Sequence, residues 1–384
     1  MLYNHIGNPM SRTLLPLSLT ATLMGGVAFA EVPRVAADIA PVHSLVARVM
    51  DGVGAPDLII QTGASPHEYS LRPSEASALQ EADLVFWIGP DLTPWLTETI
   101  ENLAPDAAVT ILLESEGTIK LEFREGALFE AHDHDDHGDE DHDEEDGHDN
   151  HDHDEHAEEK DHDDHGEEHA DEDGHDDHGH DEHAEDEDHE DHEDHEDHDD
   201  HGDDHAGHEG HDHGAHDPHA WLSPQNAANW LNVIAAQLSV ADPDNAGTYF
   251  ANAAAGRAEM DALVTQVNAT LDPVRGGSFV VFHDAYQYFE TDFDFPASGA
   301  ISIGDASDPS PARIAEVQAR IADEGISCVL AEPQFNAGLV TTVLDGSEAN
   351  TGVIDPLGSD LEPGATLYPQ LISNMATALA DCLE

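Results

Sequence analysis

The chain has 384 residues and a formal net charge of −73, with 11 Lys and Arg set against 84 Asp and Glu. That imbalance excludes nucleic acid and anionic membrane surfaces as partners and makes cations the natural guests. Outside its most polar tract roughly 300 residues remain, enough for two α/β domains or one large one.

Arg12 precedes an apolar run over 14–28, and Ala28-Phe29-Ala30 has the small-x-small form of a signal-peptidase site. Residues 1–30 are therefore predicted to be a secretory signal peptide, with Met10 as possible a start as Met1. No cysteine follows the cleavage point to carry a lipid anchor, and no later stretch is long enough to span a bilayer. The expected location is the periplasm, in soluble form.

A first lobe is read over 31–131. β-like runs at 34–39, 57–61, 83–88 and 108–113 alternate with helical patterns at 42–53, 74–81 and 93–103. The pattern then stops. From 132 to 216 the chain is almost entirely His, Asp, Glu and Gly, and Asp133 to His216 contains no Val, Ile, Leu, Phe, Met, Trp or Tyr. Nothing there can be buried against roughly 1–2 kcal/mol of backbone entropy per ordered residue, so the segment is predicted to be a disordered insertion. Of the 30 histidines, only His5, His43, His67 and His283 lie outside the stretch between Ala131 and Trp221.

Imidazole is a common ligand for zinc, copper and nickel and binds while neutral. His189, His192, His195, His198 and His201 recur every third residue with two acids between each pair. That period lines them up along one side of a helix or an extended chain and predicts several weak, interchangeable auxiliary metal sites. A solvated acidic spacer is the plainer reading, but interleaved histidine is not expected of a mere spacer.

Residues 217–241 return to the first lobe, Ser223-Pro224 reading as the cap and first residue of a helix that runs to about 240. Asp242-Pro243 restarts the signal at once. A connecting helix over 242–272, nearly thirty residues, would span about 40 Å. The second lobe, 273–384, repeats the first in outline. Its strands are expected at 278–282, 299–303, 327–330 and 351–354, and its helices at 285–290, 311–323, 337–344 and 368–383. The fold class is α/β: two lobes, each a small parallel sheet flanked by helices, joined by one long helix. Cys328 and Cys382 are the only cysteines. In an oxidising compartment they are expected to pair; the alternative is two buried thiols.

Ligands of open α/β sheets bind at the carboxyl ends of strands. His67 follows the second expected strand, His283 and Asp355 directly follow strands of the second lobe, and His219 sits in the return from the insertion. Three imidazoles and a carboxylate suit Zn2+, with Zn–N distances of about 2.0–2.1 Å. Glu68 and Asp284 adjoin these residues and read either as hydrogen-bond partners of the imidazoles or as solvated loop acids. His43 reads as packed rather than ligating, Glu332 as facing the cleft without ligating, and Trp87, Trp95, Trp221 and Trp230 as core or cleft wall.

At these residues the chain resembles a known family. Gly63-Ala64-Ser65-Pro66-His67-Glu68-Tyr69, Asp217-Pro218-His219-Ala220-Trp221, Phe282-His283-Asp284-Ala285-Tyr286 and Asp355-Pro356-Leu357-Gly358, in that order, resemble the metal motifs of the periplasmic zinc-binding proteins of ABC uptake systems. Ala331-Glu332-Pro333-Gln334-Phe335 is a further stretch of that kind. The resemblance implies His67, His219, His283 and Asp355 as metal ligands, Zn2+ as cargo, and an inner-membrane permease with its ATPase as partner. It also implies a monomer without a membrane anchor and a disulfide between the two cysteines.

Some relatives carry an acid just before the first ligand; Pro66 stands there instead. Manganese-selective relatives have a carboxylate where this chain has His283, and imidazole favours zinc. An enzyme is not expected: there is no HExxH, the fourth position is filled and no general base is evident. A periplasmic zinc buffer or chaperone, or a manganese-type solute-binding protein, are the alternative readings.

Overall fold

The computed structural model describes residues 32–124, 129, 216–302, 309–335 and 337–384. The expected signal peptide, residues 132–215 of the insertion, and with them His189, His192, His195, His198 and His201, lie outside the described residues.

Strands β1 (Val35–Ala37), β2 (Asp57–Leu58), β3 (Leu84–Trp87) and β4 (Ala108–Ile111) form one sheet in the order β2-β1-β3-β4, every pair parallel. The central strands β1 and β3 are buried along their whole length, as continuous apolar runs covered by helices on both faces require. Edge strand β4 is half exposed. β2 is shorter than its sequence run: Ile59 and Ile60 still donate to the Ala37 and Asp38 carbonyls (2.9 and 2.8 Å), but the chain then peels into the loop that carries His67. Between the strands run α1 (Ala40–Val49), α2 (Pro73–Glu81) and α3 (Pro94–Leu103), each with a proline in its first turn, where the missing N–H costs nothing.

After the insertion, a 3-10 turn over Ala220–Leu222 leads into α4 (Pro224–Ala241), whose Ser223 cap accepts from the Asn226 amide. The expected connector resolves into a 3-10 turn, Pro243–Asn245, and α5 (Ala246–Leu271), 26 residues and thus about 39 Å long. Its buried residues, Tyr249, Ala253, Gly256, Met260, Leu263, Val267 and Leu271, recur every three or four positions and form one stripe. That stripe packs on α4, α1 and the C-terminal helix. At Gly256 a Cβ would lie 2.9 Å from Leu231 Cδ1 and 3.4 Å from Arg48 Cγ, so α4 and α5 close over a residue without a side chain.

The second sheet, β5 (Phe279–His283), β6 (Ala300–Ser302), β7 (Cys328–Ala331) and β8 (Asn350–Val353), has the order β6-β5-β7-β8, again all parallel, repeating the first sheet's topology. Its helices are α6 (Gln287–Phe293), α7 (Pro311–Glu324), α8 (Ala337–Val343) and α9 (Leu367–Leu383). α7 starts at a Ser310 cap and stops at Gly325 in the left-handed region, φ 66°. A disulfide joins Cys328 on β7 to Cys382 on α9, with the Cα atoms 5.6 Å apart. Closing a loop of 54 residues, it constrains the unfolded chain by on the order of 4 kcal/mol.

Candidate metal centre

His67 lies in the loop after β2, where the Trp95 indole donates to the Pro66 carbonyl (2.9 Å) and the His67 amide to Ser65 Oγ (3.3 Å). His219 ends the return from the insertion, one residue before the 3-10 turn. His283 is the last residue of β5, one place earlier relative to the strand end than expected, because the ladder to Ser302 continues through it. The three rings meet. Ring centroids are 5.7 Å apart for His67 and His219, and 5.3 Å apart for His219 and His283. Zinc held tetrahedrally at about 2.0–2.1 Å would set the centroids of two bound imidazoles about 5 Å apart. The three line one small cavity of about 20 Å³, walled also by Trp221, Glu332, Phe335 and Leu357.

Two of the imidazoles are backed by buried carboxylates. His219 Nδ1 donates to Asp217 Oδ1 (2.7 Å) and its backbone amide to the same oxygen (2.9 Å). His283 Nδ1 donates to Glu332 Oε1 (2.6 Å). With the proton fixed on Nδ1, Nε2 carries the lone pair a cation needs. Phe335 stands edge-on to the His283 ring (5.3 Å) and stacks on Phe282, closing that side to water. Burial pushes the Asp217 carboxyl up to about 7, against the His219 backbone hydrogen bond and the Arg124 charge, which pull it down.

β8 ends at Val353, one residue short of the expected strand, so Ile354 separates it from Asp355, and the Asp355 carboxylate is engaged elsewhere. Oδ1 accepts from the Leu357 and Gly358 amides (3.0 and 3.1 Å) and from Gln334 Nε2 (3.1 Å), and Oδ2 from the Ser359 amide (2.5 Å). It borders a neighbouring hollow with Pro333 and Leu361, while Pro356 and Leu357 face the imidazoles. Among the described residues, no group of three His, Cys, Asp or Glu side chains is set to hold a metal ion as it stands. The ring spacing suits an ion; the donor atoms have still to converge on one.

The carboxylates that back the rings are not the two expected from sequence adjacency. Glu68 is exposed, and Asp284 pairs with Arg124. Asp217 sits two residues before its imidazole in Asp217-Pro218-His219, a spacing that was readable. Glu332 is 49 residues from His283, and no local signal links them. His43 is packed, Nε2 against the Pro56 carbonyl (3.1 Å), and burial lowers its pKa. The Trp87, Trp221 and Trp230 side chains are buried in the core, Trp221 donating to the Pro356 carbonyl (2.8 Å) across to the second lobe.

Two parallel-sheet lobes joined by one long helix thus bring imidazoles from both lobes into one cluster. A family model described as zinc-uptake complex component A, periplasmic (ZnuA) matches residues 35–382, and the chain belongs to that family. The high-affinity zinc uptake system protein ZnuA of Brucella suis is 43% identical over 350 residues, 91% of each chain. Its counterpart in Paracoccus denitrificans is 40% identical over 355 residues, 92% of this chain and 93% of the relative. Solved structures agree in fold. A crystal structure of ZnuA superposes with a TM-score of 0.62 at 17% identity, covering 92% of this chain and all of the other. A zinc-bound ZnuA lacking its residues 138–173 gives 0.61 at 18%.

Proposed function

We propose that the protein captures Zn2+ between its lobes with His67, His219 and His283 as nitrogen ligands and Asp355 as oxygen ligand, and delivers it to the permease of an ABC importer. As a member of its family, it is the periplasmic zinc-binding component of an ABC zinc uptake system. The observation that carries the ligand set is the His219 ring lying 5.7 Å from that of His67 and 5.3 Å from that of His283, centroid to centroid, with Nδ1 of His219 and His283 already committed to buried carboxylates.

Capture then needs two local movements. The rings turn Nε2 toward one point, and Asp355 exchanges its loop amides for the ion. Three nitrogens and one oxygen favour zinc over manganese, and the carboxylates behind His219 and His283 offset the ion's charge. Release reverses this when the permease draws the ligands of one lobe from those of the other.

In this reading residues 1–30 are the export signal, 31–131 with 217–241 the first lobe, 242–272 the connector and 273–384 the second lobe. The 132–216 insertion, with His189, His192, His195, His198 and His201, acts as a tethered collector that raises local zinc concentration. No described helix is long and apolar enough to cross a membrane. The protein works as a monomer and catalyses no reaction.

Calorimetric and chelator-competition titrations of the full chain and of a variant lacking 133–216 test the proposal. One tight zinc equivalent should survive the deletion and several weaker ones disappear, with the tight one lost in His67→Ala. Loss of the tight site along with the insertion would reject it.

A further inference from the structure

Behind the imidazoles lies a second buried cluster that the ligand set does not use. Arg124, the last described residue before position 129, has a side chain 17% exposed in a protein with 11 Lys and Arg in all. Its guanidinium grips two carboxylates of the second lobe side by side. Nε donates to Asp284 Oδ2 (3.1 Å) and Nη2 to Asp284 Oδ1, while Nη1 and Nη2 donate to Glu290 Oε2 and Oε1 (2.8 and 3.0 Å). Phe129 covers its face, 3.5 Å from the ring centroid.

The strap over residues 121–124 is tied down by further hydrogen bonds. The Leu121 amide donates to Tyr288 Oη (2.9 Å), and that hydroxyl donates to the Asp217 carbonyl (2.9 Å). The Asp217 amide donates to the Leu121 carbonyl (2.9 Å). The Gln287 amide nitrogen, oriented to satisfy its surroundings, reaches the Glu122 carbonyl and Asp217 Oδ2, each at 3.1 Å. Three of these bonds end on Asp217, which supports His219, and Asp284, held by Arg124, is the backbone neighbour of His283.

We propose that Arg124 is a positioning residue for the zinc site: it clamps strap 121–124 to Asp284 and Glu290, and so fixes Asp217 behind His219 and the β5 end that carries His283. Both imidazoles are thereby held at one spacing by one cation, although they come from different lobes. A bidentate fork suits this task, because a planar guanidinium sets the angle between two carboxylates where a lysine ammonium sets only a distance. The inference rests on the zinc-ligand reading above.

The test uses the full chain with Arg124→Gln, Arg124→Lys, Glu290→Gln and His283→Ala. Two readings are taken: tight-site zinc affinity against a competing chelator, and the visible spectrum with one equivalent of Co2+. Arg124→Gln is expected to weaken the tight site about 10–100-fold, the range for losing an outer partner of a ligand, and to alter the Co2+ bands. Lysine recovers part of the affinity without the wild-type spectrum. Glu290→Gln, away from the ligands, moves both readings in the same direction and decides alone if Arg124→Gln does not fold. Wild-type affinity and spectrum in Arg124→Gln, or in Glu290→Gln where the first is unfolded, overturn the inference. If His283→Ala keeps the tight site, the zinc-ligand reading itself fails; if only His283→Ala loses it, the positioning role alone fails.

Discussion

Glu332→Gln keeps the size of the side chain and one oxygen, but it can also turn an NH2 toward the His283 ring. The carboxylate accepts the Nδ1 proton at 2.6 Å; an amide presenting its nitrogen would move that proton to Nε2, where the ion must bind. A loss of about 10–100-fold in zinc affinity is expected, and the same for Asp217→Asn behind His219. Chelator competition measures both, and an unchanged affinity would show that the tautomers are not set from behind. Asp355→Ala should cost more than either, since in the proposed ligand set it removes a donor rather than a partner of one.

At the residue scale, what could be read from sequence was what sits in local motifs. His67, His219 and His283 stood out as lone imidazoles at strand ends or beside a helix start. The partners that orient them are a matter of tertiary pairing: Glu332 lies 49 residues from its ring and Arg124 lies 160 from Asp284. Asp38 belongs in the same class. Its carboxyl is buried at the end of β1, accepting from the Ile39 and Ile88 amides (2.7 and 2.8 Å), and nothing in the sequence marks it. Burial raises its pKa to about 7, with those amides pulling the other way. Because the folded value lies above the unfolded one, the bound proton favours folding. The contribution is complete below about pH 4 and is lost as pH rises through 7. Measured by urea unfolding, wild type should therefore lose stability relative to Asp38→Asn between pH 4 and pH 8, by on the order of 4 kcal/mol. A pH-independent difference would contradict the burial argument.

Elements were legible where their ends are written in cap chemistry. Ser223-Pro224 and Ser310-Pro311 start α4 and α7 as expected, and Gly325 stops α7. The strands came out within a few residues, β2 being the poorest because its apolar run continues past the point where the chain leaves the sheet. The connector's length was plain from its lack of breakers, but its closeness to α4 was not. At Gly256, Leu231 and Arg48 fill the space a side chain would take. Gly256→Leu should push α4 and α5 apart and destabilise the protein by about 1–3 kcal/mol, as overpacking a close contact does. Zinc affinity should fall less than stability, because the imidazoles are held by strand ends and loops rather than by this helix pair. Denaturant midpoints beside zinc titrations separate the two effects.

For the molecule as a whole, a site assembled from two lobes ties ligand binding to global stability. In the proposed site, zinc bound by His67 in one lobe and His283 in the other would be a crosslink that unfolding either lobe must break. A ligand that binds only the folded form stabilises it by RT ln(1 + [L]/Kd), about 2.7 kcal/mol at a hundredfold excess over Kd. Spread over a folded body of roughly 300 residues, that corresponds to a rise in Tm on the order of 5 °C. The disulfide between Cys328 and Cys382 lies within the second lobe, so reduction should lower the Tm of the zinc-loaded and zinc-depleted protein alike without removing the zinc-dependent increment. His67→Ala should do the reverse, leaving the zinc-depleted Tm nearly unchanged and removing the increment. Calorimetric scans of wild type and the 133–216 deletion, each with and without zinc, make the comparison. If the zinc increment followed the insertion instead of His67, the stabilising ion would be bound outside the lobes, and the crosslink account would be wrong.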